Sequence, residues 1–556
     1  MLSFYQEVIT ELKKKELSTK ELTKLKRTLC IKHNLNTIPT NIEILLHTDP
    51  PDFLLLKKKI LTKPTRSISG VAPVAIMTKP LACPHGKCTM CPGGPKSYFG
   101  DVPQSYTGKE PATMRGIRNN YDSYLQVFNR LEQYAILGHN FEKVELIIMG
   151  GTFLAYEKKY QEEFAKYAFK ALNDFSTLFF NDGEFSYLKF KQFFELPADL
   201  NDPERLNRIH QKLLQHKAQS TLETEQKRNE TAQIRCVALC IETKPDYGLL
   251  EHGLQLLKLG CTRVELGIQS VYDDVLKKIN RGHTSKETIQ SLRTLKDLCF
   301  KITAHYMPGL PLTDKKRDLQ GMKKLFSDKN YRPDMLKIYP CMVSPGTKLY
   351  QEFKLGQFTP ITAKEAAELI VEFKKHIPEY CRIMRIQRDV PTIQWAAGVE
   401  MTNLRQYISQ NYPFQCRCIR CREPQNKKIS LKDITLKITK YDASKGKEFF
   451  IAIEDKKNDF ILGFCRLRFP SQQMHPEITK DSALIRELHV YGTATSIGES
   501  GNVQHHGFGK QLMQKAEEIA QKHKKNKIII ISGIGVREYY KKLGYQLEGP
   551  YMVKDI

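Results

Sequence analysis

Between residues 144 and 339 the chain repeats one pattern: a short apolar run rich in branched residues, turn chemistry, then an amphipathic helical stretch. The runs are Val144 to Met149, Cys236 to Ile241, Val264 to Ile268, Ile302 to Met307 and Met335 to Tyr339. Strands that alternate with helices in this way predict βα units and a parallel sheet or barrel. Two stretches interrupt the pattern. A polar, aromatic-dotted segment from about 175 to 202 reads as an insertion without an assigned role, and 203 to 232 reads as a charged surface helix.

The repeat unit extends from 63 to 395 and is flanked by segments of different character. Residues 1–62 are basic and helical, with apolar positions at Phe4, Val8, Ile9 and Leu12 and again at Leu22, Leu25 and Leu29. Ser18, three residues before Glu21, has the form of a helix start. A cysteine-containing connector spans 396–428. Residues 429–556 turn strand-rich, with one strong helix from Gly507 to His523 and a strand at Lys527 to Ile531. The fold class expected is α/β: an incomplete (β/α) barrel with a helical N-terminal module and a C-terminal α+β domain.

Cysteine placement narrows the chemistry. The chain has 14 cysteines, and Cys83, Cys88 and Cys91 fall within nine residues, Cys83-Pro-His-Gly-Lys-Cys88-Thr-Met-Cys91. Three thiols on one tight loop can each reach a different iron of a [4Fe–4S] cubane, which normally takes four thiolates. The iron left open can chelate the amino and carboxylate groups of S-adenosylmethionine. An electron from the cluster would then cleave the sulfonium and release a deoxyadenosyl radical. The alternative at this point is a structural zinc with His85 as fourth ligand. Pro92-Gly93-Gly94-Pro95 suits a tight turn beside a cofactor. A second set, Cys416, Cys418 and Cys421, has metal spacing and reads as a zinc staple with no fourth ligand legible; three incidental reduced thiols is the other reading.

The C-terminal domain carries a third motif. Gln504-His505-His506-Gly507-Phe508-Gly509-Lys510 opens a helix with Leu512, Met513, Ala516, Ile519 and Ala520 on one face. Glycines there expose backbone N–H groups to a pyrophosphate at the positive end of the helix dipole. A strand, Arg486 to Gly492, precedes the motif; a strand and Gly535 to Tyr545 follow it. That order resembles acetyltransferases of the GNAT superfamily.

Charge supplies the partner. Lys+Arg totals 87 against 61 Asp+Glu, a formal net charge of +26, so a polyanion such as nucleic acid is the expected ligand. The tracts Lys13-Lys14-Lys15, Lys57-Lys58-Lys59 and Lys524-Lys525, the stretch Lys63 to Lys79, and Arg382, Arg385 and Arg388 are candidate phosphate contacts; each also reads as a solvated cation. The N-terminus has no apolar signal core, and runs such as Ile528 to Ile531 are too short to cross a bilayer. A cytoplasmic protein in a reducing compartment is expected.

Taken together, the motifs resemble the Elongator catalytic-subunit family along nearly the whole chain. The stretches that carry the resemblance are Lys63-Pro-Thr-Arg66, Gly70 to Pro80, Gln104 to Gly108, Met149-Gly-Gly-Thr152 and Glu242 to Asp246. Glu265 to Ser270, Asn280 to Thr284, Met307 to Pro311, Ile531-Ser-Gly533 and Gly549 to Lys554 continue it in order. Four residues separate Cys83 from Cys88, as in prokaryotic members. The resemblance implies a radical S-adenosylmethionine partial barrel with its cluster at the C-terminal ends of the strands. It implies Gly150, Gly151 and Thr152 near the methionine end of that cofactor. Glu242 and Gln269 are candidates for its ribose or carboxylate, or ordinary strand-end polar residues. It assigns Lys143, Glu487, Leu488, His489, Val490, Gly507, Phe508, Gly509, Lys510 and Tyr540 to acetyl-coenzyme A, with Tyr539 beside them. Lys244 stands where the family usually has arginine.

The activity so implied is tRNA carboxymethyluridine synthesis: an acetyl-coenzyme A-derived carboxymethyl group is placed on carbon 5 of the wobble uridine in the anticodon loop. The prokaryote-like spacing suggests function without accessory subunits, and a homodimer is compatible with the sequence. The competing reading is a protein lysine acetyltransferase with Glu487 as base. A third is a non-catalytic tRNA scaffold, which would not need the cysteines and glycines this chain keeps.

Overall fold

The computed structural model describes residues 2–60, 70–425, 427, 429, 431–491 and 507–556; Lys63 to Arg66, Gln504, His505 and His506 lie outside them. Seven strands form the central sheet: β1 (Ala72–Met77), β2 (Lys143–Met149), β3 (Arg235–Thr243), β4 (Arg263–Gln269), β5 (Lys301–Tyr306), β6 (Met335–Ile338) and β7 (Arg382–Ile386). They neighbour one another in sequence order, all pairs parallel, with β1 and β7 left as edges. That is an open βα barrel. The five apolar runs correspond to β2–β6; the two edge strands are additional. Alternate residues face the sheet's two sides, so β4 sends Arg263 and Glu265 and β5 sends Lys301, Thr303 and His305 towards the concave side while Val264, Ile302 and Ala304 pack beneath helices.

The described residues of the N-terminal module form four helices, α1 (Leu2–Lys14), α2 (Thr19–Lys32), α3 (Asn41–Leu46) and α4 (Pro50–Lys59). Ser18 caps α2 and Glu21 returns the bond, a complete capping box. Phe4, Val8 and Leu12 are buried.

The interrupting segment is not a loose polar excursion. Residues 175–179 end a long helix, α5 (Lys158–Phe179), and α6 (Tyr187–Phe193) follows a two-strand turn. Phe175, Phe179, Phe190 and Phe194 bury their rings together. Tyr187 stacks on Phe53 at 3.7 Å and donates to Leu45 O, and Lys191 donates to Leu46 O. The segment therefore fastens the N-terminal module to the barrel. Beyond it lie two helices rather than one, α7 (Pro203–His216) and α8 (Leu222–Asn229), with Arg205 and Glu225 buried in ionic and amide contacts.

The C-terminal domain is a second seven-stranded sheet. Its strands are β8 (Ile434–Ala443), β9 (Gly446–Asp455), β10 (Phe460–Phe469), β11 (Ser482–Val490), β12 (Lys527–Ile530), β13 (Gln546–Glu548) and β14 (Tyr551–Asp555), in the order β8-β9-β10-β11-β12-β14-β13. Among the described residues of this sheet, only β11 and β12 pair in parallel. Helix α9 (Phe508–Lys522) lays Leu512, Met513, Ala516 and Ala520 on this sheet.

This domain seals the N-terminal mouth of the barrel. Arg486 pairs with Asp334 at 2.6 Å and with Glu448 at 2.9 Å; Arg468 joins Asp297 to Glu448; Arg466 and Lys301 hold Glu487 at 2.8 and 2.7 Å. All but Lys301 and Glu487 of these are fully buried, and those two are mostly so. Backbone also meets backbone: a Cβ on Gly533 would lie 2.1 Å from Val237 O. Removing one partner from such a buried ionic set costs about 3–5 kcal/mol, because the other charge is left without water or counterion.

Candidate active site

The loop after β1 places Cys83, Cys88 and Cys91 at the opposite, C-terminal mouth. Gly86 N–H donates to Cys83 O and Cys91 N–H to Cys88 O, each at 3.0 Å, so the loop makes two tight turns. A Cβ on Gly93 would stand 2.4 Å from Pro103 O and Tyr106 O, which is why bare backbone follows the last cysteine. The three thiols line a cavity of about 480 Å³ together with Gly151, Thr152, Glu242 and Gln269 from strand ends. Burial and the neighbouring thiols push Cys91 up to about 11, and burial raises Cys83. Donors aim at the sulfurs: Ser105 N–H at 3.3 Å from Cys91 Sγ and Arg281 Nη1 at 3.7 Å from Cys88 Sγ. Three thiols that line one cavity, ringed by N–H donors, fit an iron–sulfur cluster.

His85 does not complete a zinc set. Its Nδ1 accepts from Lys244 Nζ at 2.9 Å, which leaves the hydrogen on Nε2, 3.3 Å from Cys88 Sγ. Burial, with Lys244 and Arg281, lowers its pKa to about 4, so it is a neutral donor to a sulfur. Lys244 also pairs with Asp246 at 3.1 Å, so the lysine at this position bridges His85 and a carboxylate.

Gly150 and Gly151 take φ values of 135° and 96°, left-handed territory. Gly151 borders the cavity; Gly150 stands behind it, where a Cβ would come 1.9 Å from Thr78 Oγ1. Gln269 also has positive φ, 66°, and its Oε1 is buried without a partner. An orphaned acceptor and a strained backbone at a cavity wall are features of a ligand cradle. Glu242 accepts from Tyr106 Oη at 2.9 Å.

Deeper in the same cavity is a layer that the motifs did not announce. Glu265 contacts Arg263, Lys337 and His305, the last at 2.8 Å, and Tyr339 packs edge-on to His305. Burial alone would raise Glu265, but Lys337 and Arg263 outweigh it and hold it well below the carboxylate range. One oxygen or nitrogen each of Glu242, Glu265 and His305 lies within 4.8 Å of the others. The signal for these residues was a polar side chain at every second position of otherwise apolar strands.

At the barrel's other mouth, β11 and β12 pair only over Ser482–Ile485 and Lys527–Ile530. Beyond Ile485 they part, so Glu487, Leu488, His489 and Val490 border a cleft. Helix α9 begins at Gly507, φ 75°, with Phe508, Gly509 and Lys510 in its first turn. A Cβ on Gly509 would meet Tyr539 Oη at 2.8 Å and Val490 Cγ2 at 3.8 Å, which brings these three residues together. A parted parallel pair beside the positive end of a helix fits an acyl-coenzyme A. Tyr540 is buried in the domain core rather than open to the cleft. Lys143 is paired in register with Arg235, whose Cβ abuts Gly535 of this domain.

The second cysteine set converges: the sulfurs of Cys416, Cys418 and Cys421 lie within 4.8 Å of one another. Cys416 and Cys421 share hydrogen bonds with Cys418, which lowers the Cys418 pKa and raises that of Cys416. No fourth ligand joins them among the described residues. Of the arginines, Arg385 and Arg388 line the main cavity, whereas Arg382 is engaged by Glu423 and Tyr491.

Comparison with known proteins accounts for nearly all of the chain. Residues 1–68 match the ELP3 N-terminal domain, 79–319 the Radical SAM superfamily, 333–412 the Radical_SAM C-terminal domain and 415–545 the Acetyltransferase (GNAT) family. The chain is 42% identical, over 93% of its length and 92% of the relative's, to a tRNA uridine(34) acetyltransferase of Methanocaldococcus infernus. It is 37% identical to Elongator complex protein 3 of Homo sapiens, with 96% of this chain and 93% of that one aligned. The solved structure of the archaeal Methanocaldococcus infernus Elp3 with N-terminus deletion (1-46) superposes with a TM-score of 0.71 at 38% identity, covering 88% of this chain and 100% of that one.

Proposed function

The chain belongs to the Elongator protein 3 family, and from that premise we propose that it is a tRNA carboxymethyluridine synthase. It would take a two-carbon unit from acetyl-coenzyme A and join it to carbon 5 of the wobble uridine in the anticodon loop. The observation that carries the reading is that one rigidly joined chain holds two sites: a three-thiol cavity at one mouth of the barrel and an acyl-coenzyme A cleft at the other. A [4Fe–4S] cluster on Cys83, Cys88 and Cys91, with S-adenosylmethionine, would supply the radical chemistry that an unactivated methyl group requires.

The chain's own residues do the rest. Gly151 and Gln269 would offer backbone and an unpaired amide oxygen to S-adenosylmethionine. Glu242, oriented by Tyr106, would accept from its ribose or amino group. Arg385 and Arg388 line the cavity and would meet an RNA phosphate, and exposed lysines of the N-terminal module would add long-range attraction. Glu487 to Val490 and the first turn of α9 would hold acetyl-coenzyme A, with Lys143 and Tyr540 supporting from barrel and core. A zinc on Cys416, Cys418 and Cys421 would staple the connector. The site chemistry suits a reducing cytoplasm, and among the described residues no helix is long and apolar enough to cross a membrane. The prokaryote-like cysteine spacing favours action without accessory subunits, as a monomer or homodimer.

Protein lysine acetylation is disfavoured by Glu487. Burial would raise its pKa, but Lys301 and Arg466 reverse that and bring it down to about 2. A carboxylate so firmly ionised and doubly paired is a poor base for an ammonium group. The deciding experiment is anaerobic reconstitution with iron, sulfide, S-adenosylmethionine, ¹³C-labelled acetyl-coenzyme A and tRNA. Nucleoside mass spectrometry should find two labelled carbons on the wobble uridine; acetylated lysine peptides with unmodified tRNA would refute the reading.

A further inference from the structure

We propose that His305 is the base that removes the proton from carbon 5 of the uracil once the new carbon–carbon bond has formed. The inference rests on the carboxymethylation reading and adds the residue that completes it. When a two-carbon radical adds to carbon 5, that carbon becomes tetrahedral and the unpaired electron moves to carbon 6. Restoring the 5,6 double bond requires loss of the carbon-5 hydrogen as a proton. Its bonding pair and the carbon-6 electron make three electrons: two form the π bond and one passes to a one-electron acceptor of the iron–sulfur class. The proton needs an acceptor inside the cavity.

His305 is arranged for that task. It lines the cavity shared with the three cysteines. Its Nε2 lies 2.8 Å from Glu265 Oε2. Glu265 is ionised and can only accept, so the contact is made by an Nε2 that carries hydrogen. In the neutral ring that fixes the lone pair on Nδ1. Nδ1 makes no hydrogen bond among the described residues, and it is not among the buried unsatisfied atoms, so it opens to the cavity's free volume. A carboxylate that sets the tautomer of a histidine whose other nitrogen faces the substrate is the orienter–base arrangement of general-base catalysis.

The neighbours are less suited. Lys337 is bound to Glu265, which raises its pKa further and keeps it cationic. Tyr339 is raised by burial and is a poor base at neutral pH. Tyr106 is raised by burial and by Glu242, to which it donates. Arg263 and Arg385 are cations throughout. Glu242 already receives the Tyr106 hydroxyl and is assigned to S-adenosylmethionine. The doubly cationic setting of Glu265 has a further effect: it keeps the orienting carboxylate from taking the proton itself.

The test uses His305→Ala and His305→Gln in the reconstituted enzyme with tRNA carrying ¹³C at uracil carbon 6. Iron content and S-adenosylmethionine binding at wild-type levels establish that the site has assembled, and ¹⁵N spectra of the metal-free wild-type protein should report His305 with hydrogen on Nε2. We expect deoxyadenosine formation and tRNA-stimulated coenzyme A release to persist while carboxymethyluridine falls at least ~100-fold, in the range of general-base loss. A freeze-quenched electron paramagnetic resonance signal split by the carbon-6 label should accumulate, and added imidazole should restore product in His305→Ala. Product at the wild-type rate in both variants, absence of the labelled signal, or a wild-type ring with hydrogen on Nδ1 would overturn the assignment. Failure of the wild type to form any labelled nucleoside would instead refute the parent reading, so the two failures are separable.

Discussion

Gly150 shows how one residue can be legible for one reason and required for another. The glycine pair after β2 reads in the sequence as bare backbone beside a cofactor, and Gly151 does border the cavity. Gly150 instead backs onto Thr78, whose hydroxyl also contacts Tyr156 at 3.0 Å. With φ at 135° and a Cβ 1.9 Å from Thr78 Oγ1, alanine there must strain the backbone and displace a buried threonine. Gly150→Ala should therefore cost about 2–4 kcal/mol, read as a lowered midpoint in denaturant. Thr78→Ala in the same chain should recover part of that loss; an additive double variant would show that the clash is not the cause. The cysteines were legible because their chemistry depends on spacing within one loop. His305, Lys337 and Glu265 were not, because they come from three strands and meet only when β4, β5 and β6 stand in register.

At the scale of elements, β2–β6 were legible because apolar runs in a buried parallel sheet carry their own signal. The edge strands β1 and β7 were not: Pro73 breaks the apolar run of the one and Arg382 and Arg385 that of the other, and each pairs on one side only, with β2 and β6. The aromatic segment around α6 had no role assigned from the sequence for a similar reason, since its partners Phe53 and Leu45 lie far away in sequence. The docking of β10 and β11 on the barrel was invisible, because isolated arginines and carboxylates look like surface residues until they pair. Those pairs set a pH response. In Asp334, Glu448 and Glu487 burial raises the pKa, yet arginine and lysine partners bring all three down, Glu487 to about 2. A carboxylate depressed in the folded state contributes stability that is complete above its unfolded pKa and is lost as pH falls through the folded one. For Glu487 the window runs from the ordinary value of 4.5 down to about 2. Calorimetry should therefore show the joint unfolding transition falling steadily as pH drops below about 4.5. In Glu487→Gln, stability at pH 7 should be about 3–5 kcal/mol lower and the acid slope shallower. An unchanged slope would place the acid lability elsewhere.

At the scale of the whole molecule, charge and separation are the controlling facts. A net charge of +26 should make tRNA affinity fall steeply with salt, because each phosphate contact releases counterions. Not every lysine contributes equally: Lys13 and Lys14 are paired with Asp52 and Glu11, while Lys15 is exposed. Neutralising Lys15 with Arg388 should reduce the slope of log K against log salt by about 1–2, and a flat wild-type dependence would remove electrostatic capture from the account. The separation of the sites yields the stronger test. The cysteines stand at the C-terminal ends of the strands and the acyl-coenzyme A cleft beyond their N-terminal ends, with Lys301, Glu145, Arg263 and Glu265 forming an ionic column between. Neither ligand set shares a residue with the other, so each half-reaction should be separable by substitution. In Cys88→Ala, tRNA-stimulated release of coenzyme A should continue while deoxyadenosine is not formed. In Gly509→Val the added branch would collide with Tyr539 and Val490 in the cleft, so coenzyme A release should fall while deoxyadenosine formation persists in part. Both variants should lack carboxymethyluridine, and mixing them should restore none, because the two sites must serve one tRNA bound to one chain. Product from the mixture would mean that an intermediate travels between molecules, and the joined architecture would then have no role in the reaction.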